Sequence, residues 1–547
     1  MSPHSLIALL VAATAALPLV HAASPLNVSF PPTPSKDALW NVVEDNFIGV
    51  SYELSSFSTL WGETKSLQPN AMQNYMHNLK VRMANPLRIR IGGNGMDGSI
   101  YQSNLTIPIE HIDPDAYFND IPVHFGPLLF DIMNGMSDKV GDMQFMVGLA
   151  MRDPDFSNGV EFGKAARDKL GDRLDVLMLG NEPDLYDGHE HRPGYNISDY
   201  IPEVGRFINE LTDAGALVEG VPQVGGPTIC CAWDLDDVLE AGLLDYPFKY
   251  FTVQRYPNHN CGGETDSNTN ISAYLSHPNV GEYLGLRSGI GHAKEAGIPL
   301  ILSEYNSVAC GGSKISDTFA MSLWAADVGL KAAAMNYSAI YLHTREQGIK
   351  YNLFDPPSPE TATESGWRTG SPYYGALFLS EVVAPEGSVI EDLNLNNSNS
   401  NTNATVSAFG IYDQRGKKRS KLALFNFARN GTQIFALPSG LSDTLEYRLL
   451  AAPSVEERTN ITWAGQTVGD NGNLEGEQQT ITMNCRNGCV LDIPGPGAAL
   501  VVLGSQVLWT GNSTIAGIGG YLSGVGSSSP WLGLLAAIVA GISFMLA

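Results

Sequence analysis

The sequence predicts an α/β protein: a (β/α)8 TIM barrel followed by an antiparallel β-sandwich domain. Three observations carry that reading. Between Phe47 and about residue 370, eight short apolar runs alternate with helix-like stretches, the pattern of a parallel sheet closed on itself. From about Tyr373, helical periodicity stops and short strands separated by turn residues take over, as in a sandwich. Two of the apolar runs also end abruptly in a glutamate, Glu182 and Glu304, at the rim where barrels do their chemistry.

Taken in order, the barrel strands are Phe47–Glu53, Pro86–Asn94, Met143–Ala150, Leu174–Gly180, the weaker Val221–Gly226, Phe248–Tyr256, Pro299–Ser303 and Ala339–His343. Several are near-continuous runs of branched and aromatic residues, as expected for strands buried on both faces. Glu203–Leu211 and Phe319–Leu330 carry apolar residues three and four apart, the helical spacing. The span exceeds the ~250 residues typical of the fold, so its loops are inflated. The sandwich strands read as Thr405–Tyr412, Lys421–Phe427, Leu445–Ala451, Gln479–Met483 and Ala498–Leu503. Leu26–Phe30 has no barrel role and is expected to complete the sandwich. The expected layout is a signal peptide over 1–23, a sandwich strand in 24–36, the barrel over 37–370, the sandwich over 371–508, a small-residue linker over 509–530 and an apolar tail over 531–547.

The chain has 547 residues, enough for two domains, and 44% of them are hydrophobic. Asp and Glu total 57 against 32 Lys and Arg, a net charge of -25. That excludes nucleic acid, which selects basic faces. The longest basic run, Lys417-Lys418-Arg419, reads as a solvated turn.

Leu6–Leu19 is an apolar h-region and Val20-His21-Ala22 resembles a cleavage site, so secretion is expected. Trp531–Ala547 is apolar and follows a Gly/Ser-rich stretch, which matches a GPI-attachment signal, with a transmembrane helix as the alternative. Sequons from Asn27 to Asn512, including Asn196, Asn270 and Asn336, suit a glycoprotein. The 6 cysteines are expected in disulfides. Cys485 and Cys489 flank a tight turn, Cys261 and Cys310 can meet on one rim, and adjacent Cys230 and Cys231 have no obvious partner. The spacing fits no zinc site, and no metal or cofactor is expected.

Glu182 follows Asn181 at the end of the fourth strand, and Glu304 ends the seventh in Leu302-Ser303-Glu304-Tyr305. Strands three apart around a closed barrel point their ends across its mouth. Two carboxyls there can lie ~5–5.5 Å apart, the separation for retaining glycoside hydrolysis. The pair resembles that of the clan A glycoside hydrolases, which implies that Glu182 is the protonated acid and Glu304 the ionised nucleophile. Asn181 would bond the sugar 2-hydroxyl.

These residues resemble the clan A glycoside hydrolases. RIRIGGNGMDGSIY (Arg88–Tyr101), LGNEPDLY (Leu179–Tyr186) and LSEYNSVACGG (Leu302–Gly312) are similar to glycoside hydrolase family 79, in its fungal β-glucuronidase-like branch, and the resemblance runs from about Asn27 to Leu503. It implies sugar contacts from Asn94 and Asp97, and places Gln254 and Tyr256 beside the nucleophile. It also implies that Gly348 and Tyr351 hold the sugar carboxylate, with His343, Arg345 and Lys350 nearby. Arg90 pairs with a buried carboxylate or touches ligand.

The activity so implied is a retaining exo-β-glucuronidase acting on terminal, optionally 4-O-methylated, glucuronic acid. The alternatives are a heparanase-like endo-β-glucuronidase and a surface carbohydrate-binding or wall-remodelling protein with little hydrolase activity. A glycan partner, a monomeric state, membrane contact only through the GPI anchor and a cell-surface location complete the expectation.

Overall fold

The computed structural model describes residues 24–504, apart from 67, 114, 115, 117–119 and 358–365. The expected signal peptide, linker and apolar tail lie outside the described residues.

Eight parallel strands close a barrel in sequence order: β1 (Ile48–Glu53), β2 (Leu87–Gly92), β3 (Met143–Leu149), β4 (Leu174–Leu179), β5 (Val224–Ile229), β6 (Phe248–Arg255), β7 (Leu300–Tyr305) and β8 (Tyr337–Thr344), with β8 paired to β1. The barrel interior is packed by Met146, Val176, Met178, Tyr250, Ile301, Ala339 and Tyr341. Gly49 makes room for this filling, because a Cβ there would run into the Tyr341 ring. The outer layer includes helices α1 (Asn70–Lys80), α2 (Leu128–Val140), α3 (Ser157–Leu170), α4 (Ile197–Asp213) and α5 (Phe319–Ala334).

Strand β5 is the one placed wrongly from sequence. It starts and ends three residues later than the Val221–Gly226 expected. Gly225-Gly226-Pro227 reads as a breaker, but pairing with β4 and β6 on either side overrides local propensity. The shift carries Cys230 and Cys231 to the barrel rim.

The second domain is a two-sheet β structure. Its large sheet runs Val42–Val43, β9 (Ser388–Asp392), β10 (Val406–Tyr412), β11 (Lys418–Asn426), β16 (Gly497–Leu503), β13 (Thr444–Ala451) and Thr462–Trp463, with β14 (Ile481–Asn484) also on β13. The small sheet holds Leu26–Asn27, β12 (Thr432–Leu437) and β15 (Cys489–Pro494). Strands β12 and β15 were not read from the sequence, although Leu491 and Ile493 alternate with polar residues. Leu26–Asn27 lies parallel to β12.

The large sheet is buried on both faces because it is a middle layer. Ala408, Leu422, Leu424, Ala499 and Val501 face the small sheet. Their alternates Phe409, Ile411, Ala423, Phe425, Ala498, Leu500 and Val502 join the barrel's core, as a two-residue period requires. Helix α5 lies in that junction, packed on β8, β9 and helix α6 (Pro372–Leu379). Every residue from Phe319 to Ala333 is buried, which explains a helix hydrophobic all round.

Two charged residues of α5, Asp327 and Lys331, are buried there with partners. His277 Nδ1 lies 2.8 Å from Asp327 and its Nε2 2.9 Å from Asp392, while Lys331 donates to Asp392 at 2.6 Å. Ser407 donates a further hydrogen bond to Asp327 at 2.8 Å. This cluster ties barrel to sheet.

Candidate active site

At the end of β4 the backbone turns into the left-handed region twice, at Gly180 (φ 74°) and at Glu182 itself (φ 47°). The first is free for glycine. The second is uncommon for a side chain such as glutamate and marks a held conformation. It is held from β5, whose Thr228 carbonyl accepts the Glu182 N–H at 3.1 Å. Asp184, two residues on, accepts the consecutive N–H groups of Cys231 and Ala232, each at 2.8 Å. The side chain of Glu182 enters a cavity of about 1150 Å³ that Glu304, Tyr256, Tyr351, Glu53, Asn94 and Arg345 also line.

Glu304 is 7% exposed. Tyr256 donates to its Oε1 at 2.9 Å, Arg90 forms a short ion pair with its Oε2, and His343 Nδ1 lies 3.6 Å away. Arg90 is 1% exposed and links both catalytic strands: it also donates to Ser51 Oγ at 3.0 Å and to Asn181 Oδ1 at 2.7 Å. One planar guanidinium thereby sets the nucleophile against the loop of the acid.

The two carboxyls are driven apart in acidity. Burial, then the negative charge of Glu304, then Asp184, against the pull of Arg90 and with a further push from Glu53, raise Glu182 well above the usual carboxylate range. Burial would raise Glu304 too. The charges of His343 and Arg90, with the hydrogen bonds from Tyr256 and Arg90, outweigh it and hold Glu304 below its ordinary value. The site therefore sets a carboxyl pushed toward its protonated form beside one held toward its carboxylate, the contrast on which retaining glycoside hydrolysis depends.

The other residues expected at the site divide. Asn94 and Tyr351 line the cavity, and Tyr351's ring lies 6.0 Å from that of Tyr256. Asn181 and Gln254 stand behind the lining. Asn181 Oδ1 accepts from Arg90 and, at 2.8 Å, from Gln254, and its Nδ2 donates to Asn94 Oδ1 at 2.6 Å. These hydrogen bonds hold both side chains beside the lining residues.

Asp97 corrects the sequence reading. It is buried, and its carboxylate accepts from the Tyr186 hydroxyl at 2.5 Å and the Met151 N–H at 2.7 Å, so it braces the loops after β3 and β4. Gly348 is a second correction: it is exposed, outside the lining, and its N–H faces Asp355 at 3.3 Å. Lys350 is exposed as well.

Sequence reasoning missed Glu53. It ends β1, as Glu304 lies at the end of β7 and Glu182 just after β4, so the signal was present. Its Oε1 accepts the Gly95 N–H at 2.6 Å and its Oε2 lies 3.5 Å from His343 Nε2. Gly93 (φ 83°) lies directly beneath it, where any Cβ would clash with the carboxylate. The disulfides are Cys261–Cys310, Cys485–Cys489 and the adjacent pair Cys230–Cys231. The first and the last line the cavity.

Comparison with known proteins agrees with this geometry. Residues 408–500 match the glycosyl hydrolase family 79 C-terminal beta domain. Among solved structures, the chain is similar to a 4-O-α-L-rhamnosyl-β-D-glucuronidase from Fusarium oxysporum, with TM-score 0.74 and 20% identity over 87% of this chain and 100% of that one. It is also similar to an α-L-arabinofuranosidase from Thermotoga maritima, with TM-score 0.58 and 12% identity over 88% of this chain and 99% of that one. No curated protein matches the sequence. A barrel with this carboxylate pair, closed by this β domain, is a glycoside hydrolase. The family 79 match itself covers the C-terminal β domain, and the likeness to solved structures over the rest of the chain shows the fold.

Proposed function

We propose that the chain is a retaining exo-β-glucuronidase that removes terminal β-linked glucuronic acid, with or without a substituent on O4, from glycans. The observation that carries hydrolysis is that Glu182 and Glu304 line one cavity at the barrel mouth, where burial and like charge push the first carboxyl up while His343 and Arg90 pull the second down. Glu182 protonates the leaving oxygen while Glu304 attacks the anomeric carbon, and Glu182 then deprotonates the water that releases the sugar. Tyr256 and Arg90 keep the nucleophile ionised and aimed. Asn94, held by Asn181, reaches the sugar from the opposite wall.

Two observations support a glucuronide. One is the likeness to a protein that acts on a 4-O-rhamnosyl glucuronide. The other is that, in a chain of net charge -25, Arg152, Arg255, Arg287 and Arg345 bring guanidinium groups to the cavity lining, the side chains suited to a sugar carboxylate. The test is turnover of aryl β-glucuronides against the matching β-glucosides, with the first-formed anomer read by proton NMR. Glucuronide turnover giving the β-anomer is expected. Preference for the glucoside, or the α-anomer first, overturns the reading. Internal cleavage of a polymer would mark an endo enzyme, and sugar binding without turnover a binding protein.

We also propose that the chain works as a monomer at the cell surface, exported and lipid-anchored. The h-region, the apolar tail and the disulfides support this. Release from cells by a phosphatidylinositol-specific phospholipase is expected, and sedimentation of the released enzyme as one chain. Retention on the membrane, or a dimer, refutes the respective part.

A further inference from the structure

The Cys230–Cys231 disulfide sits on the cavity wall beside the acid, and nothing in the catalytic scheme uses it. Its backbone is engaged on every side. Asp184 accepts the N–H groups of Cys230 at 3.2 Å and Cys231 at 2.8 Å. Arg255 donates a short hydrogen bond to the Cys230 carbonyl and Arg287 one to the Cys231 carbonyl. Arg255 also reaches the Leu286 and Arg287 carbonyls, at 3.1 and 2.7 Å, so one guanidinium binds the cysteine pair to the Leu286 segment. With these polar groups taken, the pair offers the cavity its sulfurs and methylenes. Leu185 and Leu286 line the cavity too, and Leu286 is 63% exposed. The result is a rigid apolar wall in a cavity otherwise rich in charge.

Its place defines its occupant. The sugar ring under attack lies between Glu182 and Glu304, with Tyr256 and Tyr351 at the nucleophile's end. The wall is joined to the acid's own loop through Asp184. The acid gives its proton to the leaving oxygen, so the group beyond that oxygen meets this wall.

Resting on the glucuronidase reading, we propose that the Cys230–Cys231 disulfide, with Leu185 and Leu286, is the platform for the leaving group and selects one with a flat, C–H-rich face, either a pyranose or an aryl ring. Polarisable sulfur packs well on such faces, and a wall already held rigid loses little entropy on binding.

The test compares wild type with the double variant C230S/C231S on three substrates: p-nitrophenyl β-glucuronide, a β-glucuronyl-galactose disaccharide and β-glucuronyl fluoride, whose leaving group has no face to rest. The kcat/KM ratio of a faced substrate to the fluoride is expected to fall about tenfold in the variant, the equivalent of ~1.4 kcal/mol. A fall with the disaccharide alone identifies a sugar platform, and a fall with both a general one. Ratios within twofold of wild type overturn the proposal. Should the variant not fold, wild type decides: phosphine reduction of Cys230–Cys231, followed by alkylation and mass spectrometry, is expected to slow at least fivefold with a thio-linked aryl glucuronide but not with glucuronic acid. Equal protection by both, or by neither, overturns it. Failure of wild type to turn over any β-glucuronide overturns both readings, whereas turnover with unmoved ratios strikes this one alone.

Discussion

Two clusters of buried charge lie in this molecule, and they are built to opposite ends. In the junction between barrel and sheet, His277, Asp327, Asp392 and Lys331 alternate in sign and meet at 2.6 to 2.9 Å. Each charge there has a partner. At the barrel mouth, Glu53, Glu182 and Glu304 crowd around Arg90 and His343, so carboxylates outnumber the cations between them. The junction holds Asp392 ionised: burial opposes its charge, but hydrogen bonding and the charges of His277 and Lys331 overcome this and pull its pKa down. The mouth drives two of its acids apart, Glu182 up and Glu304 down. The lesson is that burial alone does not decide protonation, since all these groups are buried. The geometry of the nearest cation counts as well, and Arg90 forms a direct ion pair with Glu304.

The largest effect that can break this comparison comes from Glu304→Gln. We expect kcat to fall by ~10⁴ or more, as for loss of a nucleophile, with the fold intact by circular dichroism. A loss below tenfold would remove Glu304 from the chemistry. Glu182→Gln should lower kcat/KM by about 10²–10⁴ for poor leaving groups, the usual worth of a general acid, and by much less for activated aryl groups. Equal losses across leaving groups would deny it the acid's role.

The pH profile tests the same pair. Activity needs Glu304 ionised, so it rises with pH through a pKa below the ordinary 4.5. It needs Glu182 protonated, so it falls again through a pKa well above 4.5. Glu182→Gln should erase the alkaline limb, and persistence of that limb would reassign it.

At the junction, the readout is stability. Burial opposes a charged His277, but the Asp327 and Asp392 carboxylates prevail and raise its pKa from 6.5 to about 9. Its contribution is therefore full below 6.5 and disappears as pH rises through about 9. That is on the order of 3 kcal/mol. Asp392 works in the other direction, its contribution present above about 3.8 and lost in acid. Melting temperature should plateau between these limits and drop toward pH 9. His277→Phe should flatten the alkaline drop while lowering stability overall by ~3–5 kcal/mol, the usual result of leaving buried charges unmatched. An unchanged alkaline drop in that variant would clear His277. The smallest effect expected is from Tyr256→Phe, which deletes one hydrogen bond to a charged acceptor, ~1.5–3 kcal/mol. We expect kcat/KM to fall about 10- to 100-fold and the acid limb to move toward higher pH. A limb that stays in place would show Tyr256 to be packing only.

The catalytic pair was legible because each glutamate ends an apolar run of fixed type, and strand ends in a closed barrel share one rim. Tyr256 and Tyr351 were legible through the resemblance. Asp97 and Gly348 were misassigned because membership of a rim loop does not say which way a group faces. Strands β12 and β15 escaped because each has few fully buried residues, Phe435 and Leu437 in one and Leu491 and Ile493 in the other, and so carries a weak apolar signal. The pairing of Cys230 with Cys231 was hidden in plain order, since adjacent cysteines are ordinarily assumed to seek distant partners.

By itself, the sequence determined the elements, the domain order and the two carboxylates, because periodicity, turn residues and strand ends are local properties. Only the tertiary structure decided which carboxyl is pushed up and which down in pKa, which cation serves which acid, and which side chains wall the cavity. Those depend on contacts such as Arg90 to Glu304, 214 residues apart, and electrostatic energy follows distance in space rather than distance along the chain.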